Sequence, residues 1–118
     1  MKHMKITQDL REGVHLLTVS GFMDMTSVPK FEAALDELIA QGVIHIVLDL
    51  SYLEFITSAG LGAIIGRIRR VRQQEGDIKV GGCSDRVMEV LKTFGFTDVF
   101  QVSPTAEAAL AQFKTTPS

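Results

Sequence analysis

The spacing of apolar positions changes period several times along the chain. Ile6 to Asp9 and Val14 to Val19 read as strands, and Arg11-Glu12-Gly13 between them supplies a turn, so the chain is expected to open with a hairpin. The period then lengthens. Val28, Phe31, Leu35, Leu38 and Ile39 recur at helical spacing, Ser27 stands where a helix cap belongs, and Pro29 falls in the first turn, where a missing N–H is harmless. Gly42 is placed to stop this helix. Val43 to Leu50 is nearly continuous apolar sequence rich in β-branched residues, the pattern of a strand covered on both faces, with His45 expected at its end or on an exposed face.

A second helix is expected from Ser58 to about Gln74, stopped by Gly76, with Leu61, Ile64, Ile65, Ile68 and Val71 as its core stripe. Ile78 to Val80 reads as a short strand. Asp85 to Phe94 reads as a helix with Val87, Val90, Leu91 and Phe94 inward, closed by Gly95. Val99 to Val102 is a further short strand, and Ser103 or Thr105 caps a last helix carrying Ala109, Leu110 and Phe113. The order β-β-α-β-α-β-α-β-α implies right-handed crossovers and an α/β fold: a mixed, mostly parallel sheet with an N-terminal hairpin and about four packed helices. Periodicity leaves open whether those helices cover one face of the sheet or two.

One stretch, Phe55 to Arg67, breaks the local rules by placing Gly60, Gly62 and Gly66 at or near the start of one helix. Each interior glycine costs about 0.5–1 kcal/mol relative to alanine, a large share of a total stability of roughly 5–15 kcal/mol. At about 100° per residue, Leu61, Ile64, Ile65 and Ile68 fall on one side. Ala59, Gly62, Ala63 and Gly66 fall opposite, with Arg70 extending their row. The expected result is an outer face nearly free of side chains, either a docking surface or a face covered by the domain's own loop. Ser58 opens this helix. Its hydroxyl can cap a backbone N–H, or it can carry a phosphate, which free N–H groups and the helix dipole favour. A phosphoserine brings about −1.5 to −2 charge, enough to repel a partner while leaving the fold intact. The glycine spacing G-x-G-x-x-x-G is not a dinucleotide fingerprint, and no Gly-Lys-Ser/Thr follows it.

The segment Phe55-Ile56-Thr57-Ser58-Ala59-Gly60-Leu61-Gly62, following the strand HIVLDL, resembles the signature of STAS domains. In particular it is similar to that of bacterial anti-sigma-factor antagonists, usually Asp-Ser-Ser-Gly-Leu-Gly or Asp-Ser-Thr-Gly-Leu-Gly after a buried strand. Upstream, Gly21-Phe22-Met23-Asp24 sits where that family has Gly-Glu-Leu-Asp, between the second strand and the first helix. Downstream, Asp77 to Gly82 and the helix through Phe94-Gly95-Phe96 fall on its fourth strand and third helix. The resemblance runs from about Ile6 to Phe113. It implies a non-enzymatic binding module that docks on an anti-sigma factor which is itself a serine kinase. That kinase phosphorylates the first serine of the motif and so abolishes docking, and a serine phosphatase reverses the change. The phosphoacceptor falls on Ser58, the motif glycines on Gly60 and Gly62, and the family aspartate near the acceptor on Asp24. The expected contact set is Asp24, Thr57, Ser58, Ala59, Gly60, Gly62, Ala63, Gly66 and Arg70. Two positions depart from the family: Thr57 replaces the aspartate before the serine, and Ala59 replaces the second hydroxyl. Thr57 gives weight to other STAS branches, in which the same face serves a constitutive subunit: a phospholipid-transporter accessory or a stressosome-type scaffold.

Composition narrows the rest. One domain is expected from 118 residues, with residues 1–5 an added or frayed start and 115–118 a frayed tail. The apolar fraction of 46% and charged fraction of 22% argue against disorder. A net charge of −2 argues against nucleic-acid binding, and no apolar run approaches the ~20 residues of a membrane span. Cys83 is the only cysteine, which excludes an internal disulfide and fits a cytoplasmic location. It lacks an activating neighbour and is expected to be inert. His3, His15 and His45 are too scattered for a metal motif, and no catalytic set or cofactor motif is present. Arg67, Arg69, Arg70 and Arg72 are either a solvated helix face or a contact for an acidic surface. Asp49 is expected to accept nearby backbone N–H groups at a strand end. Met23 and Met25 are candidates for an adaptable docking surface or for core filling.

Overall fold

The computed structural model describes residues 3–98 and 102–114. Strands β1 (Lys5–Arg11) and β2 (Val14–Met23) form the antiparallel hairpin, turning at Glu12-Gly13. Helix α1 (Val28–Ala40) leads to β3 (His45–Leu50), then β4 (Leu53–Ile56), α2 (Ser58–Arg72), β5 (Asp77–Cys83), α3 (Asp85–Thr93), a 3-10 turn (Phe96–Asp98), β6 (Val102–Ser103) and α4 (Ala106–Lys114). The sheet order is β1-β2-β3-β5-β6, parallel beyond the hairpin, with β4 paired to β2 off this path. The helices cover both faces. One core holds Phe31 and Leu35 of α1, Leu61 and Ile64 of α2, and Val87 and Leu91 of α3. The other sets Ala106, Ala109 and Leu110 of α4 against Val14, Leu16 and Val47.

Strand β4 was not foreseen, and it changes the site. Residues 15–18 of β2 pair with β3, and residues 21–23 pair with β4 after a register shift between Gly21 and Phe22. Gly21 therefore does not end β2. Its φ of +85° makes the irregularity, and the His3 carbonyl lies where a Cβ would sit. The N–H of Thr57 donates to the Met23 carbonyl at 3.1 Å, so β2 and β4 end side by side.

Several local expectations change. Ser27 occupies the N-cap position of α1 without a side-chain cap bond; its hydroxyl instead donates to the Phe22 carbonyl at 2.9 Å. The left-handed residue after α2 is Glu75, φ +67°, while Gly76 is required by the Ile44 backbone packed against it. Phe94 lies beyond α3 and is 57% exposed rather than inward. Thr105, not Ser103, caps α4, its hydroxyl accepting from the Ala108 N–H at 3.1 Å. Strand β5 is longer than expected. Of the proposed strand at 99–102, residues 99–101 lie outside the described residues, as do residues 1–2 and 115–118. His45 opens β3, exposed, its ring edge-on to Phe113 at 5.4 Å.

Candidate functional site: the start of helix α2

Only Thr57 separates β4 from α2, so the helix springs directly from the carboxyl end of a strand, where α/β folds gather their binding groups. Thr57 is the N-cap, in extended conformation, and its Oγ1 accepts from the Gly60 N–H at 3.2 Å. Ser58 is the first helical residue. It is exposed, and its hydroxyl has no hydrogen bond among the described residues. The two roles that the sequence left open at Ser58 are thus divided between neighbours: Thr57 holds the helix, and Ser58 presents a free hydroxyl. Threonine and aspartate are both good caps, so Thr57 retains the helix-starting function of the family aspartate. Thr57→Val is expected to lower stability by about 1 kcal/mol, whereas Thr57→Asp keeps the wild-type urea midpoint. Equal midpoints for all three chains would remove Thr57 from this role.

The glycines of α2 have different reasons. Gly60 is buried, and a Cβ there would meet Met23 Sδ at 2.8 Å and Ile56 Cγ1 at 2.9 Å. It is a packing residue, not part of an outer face. Gly62 and Gly66 would place a Cβ in open space, so nothing in this chain's own packing requires them to be glycine. Ala59 and Gly62 are exposed and Gly66 is half-buried, as expected of the smooth face, but Ala63 is 3% exposed. The helical wheel has two buried flanks, one on the sheet and one toward α1, and Ala63 belongs to the second.

Arg67 lies on that same flank. Its guanidinium bonds Asp36 through Nε at 3.1 Å and Nη2 at 2.9 Å, and Glu32 through Nη1 at 3.1 Å. Arg70 joins Asp36 at 2.8 Å. Both arginines tie α2 to α1, so Arg70 is not a free contact and the basic run is not simply solvated. The Arg67 guanidinium holds the Asp36 carboxyl below the usual carboxylate range.

Asp24 follows β2 beside Thr57. Its Oδ1 accepts from the Thr26 hydroxyl at 2.7 Å and from the N–H groups of Thr26 and Ser27 at 3.0 and 3.2 Å. The Thr26 hydroxyl first, then these backbone groups, keep the carboxyl below its ordinary range. Asp24 therefore shapes the loop that opens α1, an Asx-type turn. The two methionines beside it separate: Met23 is fully buried, while Met25 is 80% exposed at the loop tip. Sequence reasoning did not single out Phe55. Its exposed ring packs 5.7 Å from Phe22 and, with Phe94 and Val90, borders a groove of about 380 Å³ between β4 and α3. The four residues Leu53-Glu54-Phe55-Ile56 are too short a pattern to signal that the third side chain points outward.

Two other candidates keep the bland roles expected of them. Burial pushes the Cys83 thiol up to about 11, so it stays protonated near neutrality. Asp49 Oδ1 accepts from the Ser51 N–H at 3.0 Å. Among the described residues no group of three or more His, Cys, Asp or Glu could hold a metal, and no helix is long and apolar enough to cross a membrane.

Comparison with known proteins agrees with the fold. The STAS domain model aligns with residues 5–109. The chain is 33% identical over 112 residues to BtrV of Bordetella bronchiseptica, provisionally named an anti-sigma factor antagonist, covering 95% of this chain and 97% of BtrV. An anti-sigma factor antagonist from Mycobacterium paratuberculosis superposes with a TM-score of 0.86 at 25% identity, over 93% of each chain. Unphosphorylated SpoIIAA shares the fold, with a TM-score of 0.79 at 22% identity over 98% of this chain and 100% of its own. The chain belongs to the STAS domain family and is homologous to the bacterial anti-sigma factor antagonists.

Proposed function

We propose that this chain is a cytoplasmic anti-sigma factor antagonist whose docking on a kinase-type anti-sigma factor is blocked by phosphorylation of Ser58 and restored by a serine phosphatase. The observation that carries this reading is the free hydroxyl of Ser58 at the first position of a helix whose cap is supplied by Thr57. A phosphate on Ser58 meets the N-terminal end of the α2 dipole and leaves the Thr57 cap bond in place, so the fold tolerates it. The same charge lies at the edge of a face that is otherwise small and weakly polar, where it opposes desolvation by a partner. The docking surface consists of Ser58, Ala59, Gly62 and Gly66 on α2, together with the Asp24 loop and its exposed Met25. Gly60 and Ala63 support it from within, and the exposed Arg70 ties its far end to Asp36 of α1. That SpoIIAA is known in both phosphorylated and unphosphorylated forms is consistent with a two-state site in this fold.

Intact-mass measurement and peptide mapping of the protein from its own cells, through growth, stress and stationary phase, tests the reading. One phosphate on Ser58, absent from Thr57, is expected. Ser58→Asp should bind the purified anti-sigma factor at least about tenfold more weakly than wild type, a difference of about 1.4 kcal/mol. Absence of phosphate in every condition, or equal binding by Ser58→Asp, overturns the switch. Stable copurification with a larger assembly in that case would identify a constitutive subunit.

A further inference from the structure

Strand β1 is the outer edge of the sheet, and among the described residues it pairs only with β2. Ile6 is half-buried and the other six residues of the strand are exposed. An open edge of this length is a row of unpaired N–H and C=O groups, a template for another strand. Which groups face outward follows from the turn. Glu12 and Gly13 have φ of +52° and +85°, the two positive angles of a type I′ loop, and Arg11 pairs with Val14 across it. Such a loop closes on a hydrogen-bonded pair, and bonded and non-bonded pairs alternate from there. Arg11, Asp9, Thr7 and Lys5 thus turn their backbone groups toward β2. Leu10, Gln8 and Ile6 turn theirs outward.

The side chains along this edge are self-complementary in one register. With a two-fold axis through Thr7, Lys5 lies opposite Asp9 of a second copy, Ile6 opposite Gln8, Thr7 opposite Thr7, and Met4 opposite Leu10. Each pair off the axis occurs twice, and Thr7–Thr7 once on it. Lys5 makes no ion pair among the described residues and Leu10 is 60% exposed, so both gain a partner; Asp9 already bonds Arg11 of its own strand at 2.6 Å, and its side chain, 55% exposed, keeps an oxygen for Lys5. Ile6 and Gln8, whose backbone groups face outward, form the bonded pairs this register requires. Centring the axis on Gln8 instead would also align bonded pairs, but it sets Lys5 opposite Arg11, a like-charge pair.

We propose that β1 is a dimerisation strand: it pairs antiparallel with β1 of a second copy of this chain, about an axis through Thr7, and joins the two sheets into one. The interface is isologous and closes on itself, so it makes a dimer and not a filament. None of the paired residues belongs to α2, so both copies keep Ser58 open, and the proposal stands independently of how Ser58 is regulated.

Sedimentation equilibrium of the full chain from about 10 μM to about 1 mM tests it, a range that spans the association constants of modest interfaces. A monomer–dimer equilibrium is expected. Lys5→Glu should weaken it at least tenfold, and Lys5→Glu combined with Asp9→Lys should recover most of the loss. Gln8→Pro should abolish it, because it removes an outward N–H from an edge strand while sparing the bonds to β2. A chain that stays monomeric throughout overturns the dimer. Tighter association of Lys5→Glu overturns the Thr7 register in favour of Gln8, and a dimer indifferent to Lys5→Glu overturns β1 as its interface. Lys5→Glu is a surface change, so the test holds even if Gln8→Pro fails to fold.

Discussion

Replacing Gly62 and Gly66 together with glutamine is expected to make the protein more stable and unable to dock. Both positions would place a Cβ in open space, so the side chains meet no obstacle within the chain. Each glycine in a helix interior forgoes about 0.5–1 kcal/mol relative to a good helix former. The double variant should therefore melt several degrees higher, since about 1 kcal/mol moves the midpoint of a domain this size by roughly 3–6 °C. Docking should weaken at least about 100-fold, a loss of about 2.7 kcal/mol, because two long side chains hold a partner backbone away from the helix. Calorimetric melting and titration against the purified anti-sigma factor read the two effects separately. If stability rises and docking is unchanged, the partner touches the Asp24 loop and Ser58 but not the body of α2. If stability falls, the helix face is packed against something in this chain after all.

A large loss of stability is expected at Gly81. It lies in β5, paired with Ser103 of β6, and the α4 backbone passes directly over it. A Cβ at Gly81 would stand 2.7 Å from Ala106 Cα and 2.8 Å from both Ala109 Cβ and the Thr105 carbonyl oxygen. Two of those atoms belong to backbone, so relief requires the whole helix to move. Gly81→Val should cost about 3 kcal/mol or more, the upper end of overpacking effects. Urea unfolding followed by near-UV and far-UV dichroism measures it. A variant within about 0.5 kcal/mol of wild type would mean that α4 is not held against β5 as described. Because α4 covers the sheet face opposite α1 and α2, the Ser58 region should keep its local structure in any Gly81→Val chain that still folds.

The long periodic segments were legible because one stripe of each had one neighbour to satisfy. Val28 to Ile39, and Leu61 to Val71, show their apolar spacing plainly, and the strands either side of them follow. Strand β4 was not legible. Leu53-Glu54-Phe55-Ile56 is four residues long, lacks alternation, and owes its existence to the far half of β2, some thirty residues earlier. Gly21 concealed that half, since a left-handed glycine in sequence reads as a turn, whereas here it marks an irregularity inside a strand. At the site, the motif put Ser58 at the start of a helix, where the structure has it, but gave no sign of the work of its neighbours. A wheel separates inside from outside, not one buried flank from another. Ala63 is therefore expected outward but is buried, because α1 lies on that side, held by Arg67 to Glu32 and Asp36, while Arg70 is exposed as expected and also bonds Asp36. Gly60, Gly62 and Gly66 look alike in sequence, and only the space beside each distinguishes a packing glycine from a surface one.

The division of labour between Thr57 and Ser58 has a consequence for timing. The bond that starts α2 runs from Gly60 to Thr57, and among the described residues no bond passes through the Ser58 hydroxyl. A group added there, or removed, changes the surface without unravelling a turn of helix. Under the proposed switch, the response time would be set by the enzymes that write and erase the mark and by the dissociation of the partner, with no refolding step to wait for. A chain in which the acceptor also capped the helix would pass through a frayed state in every cycle, open to proteases each time. Under the proposed switch, a mark on Ser58 would be erasable at no structural risk, as a component used over and over within the lifetime of one molecule requires.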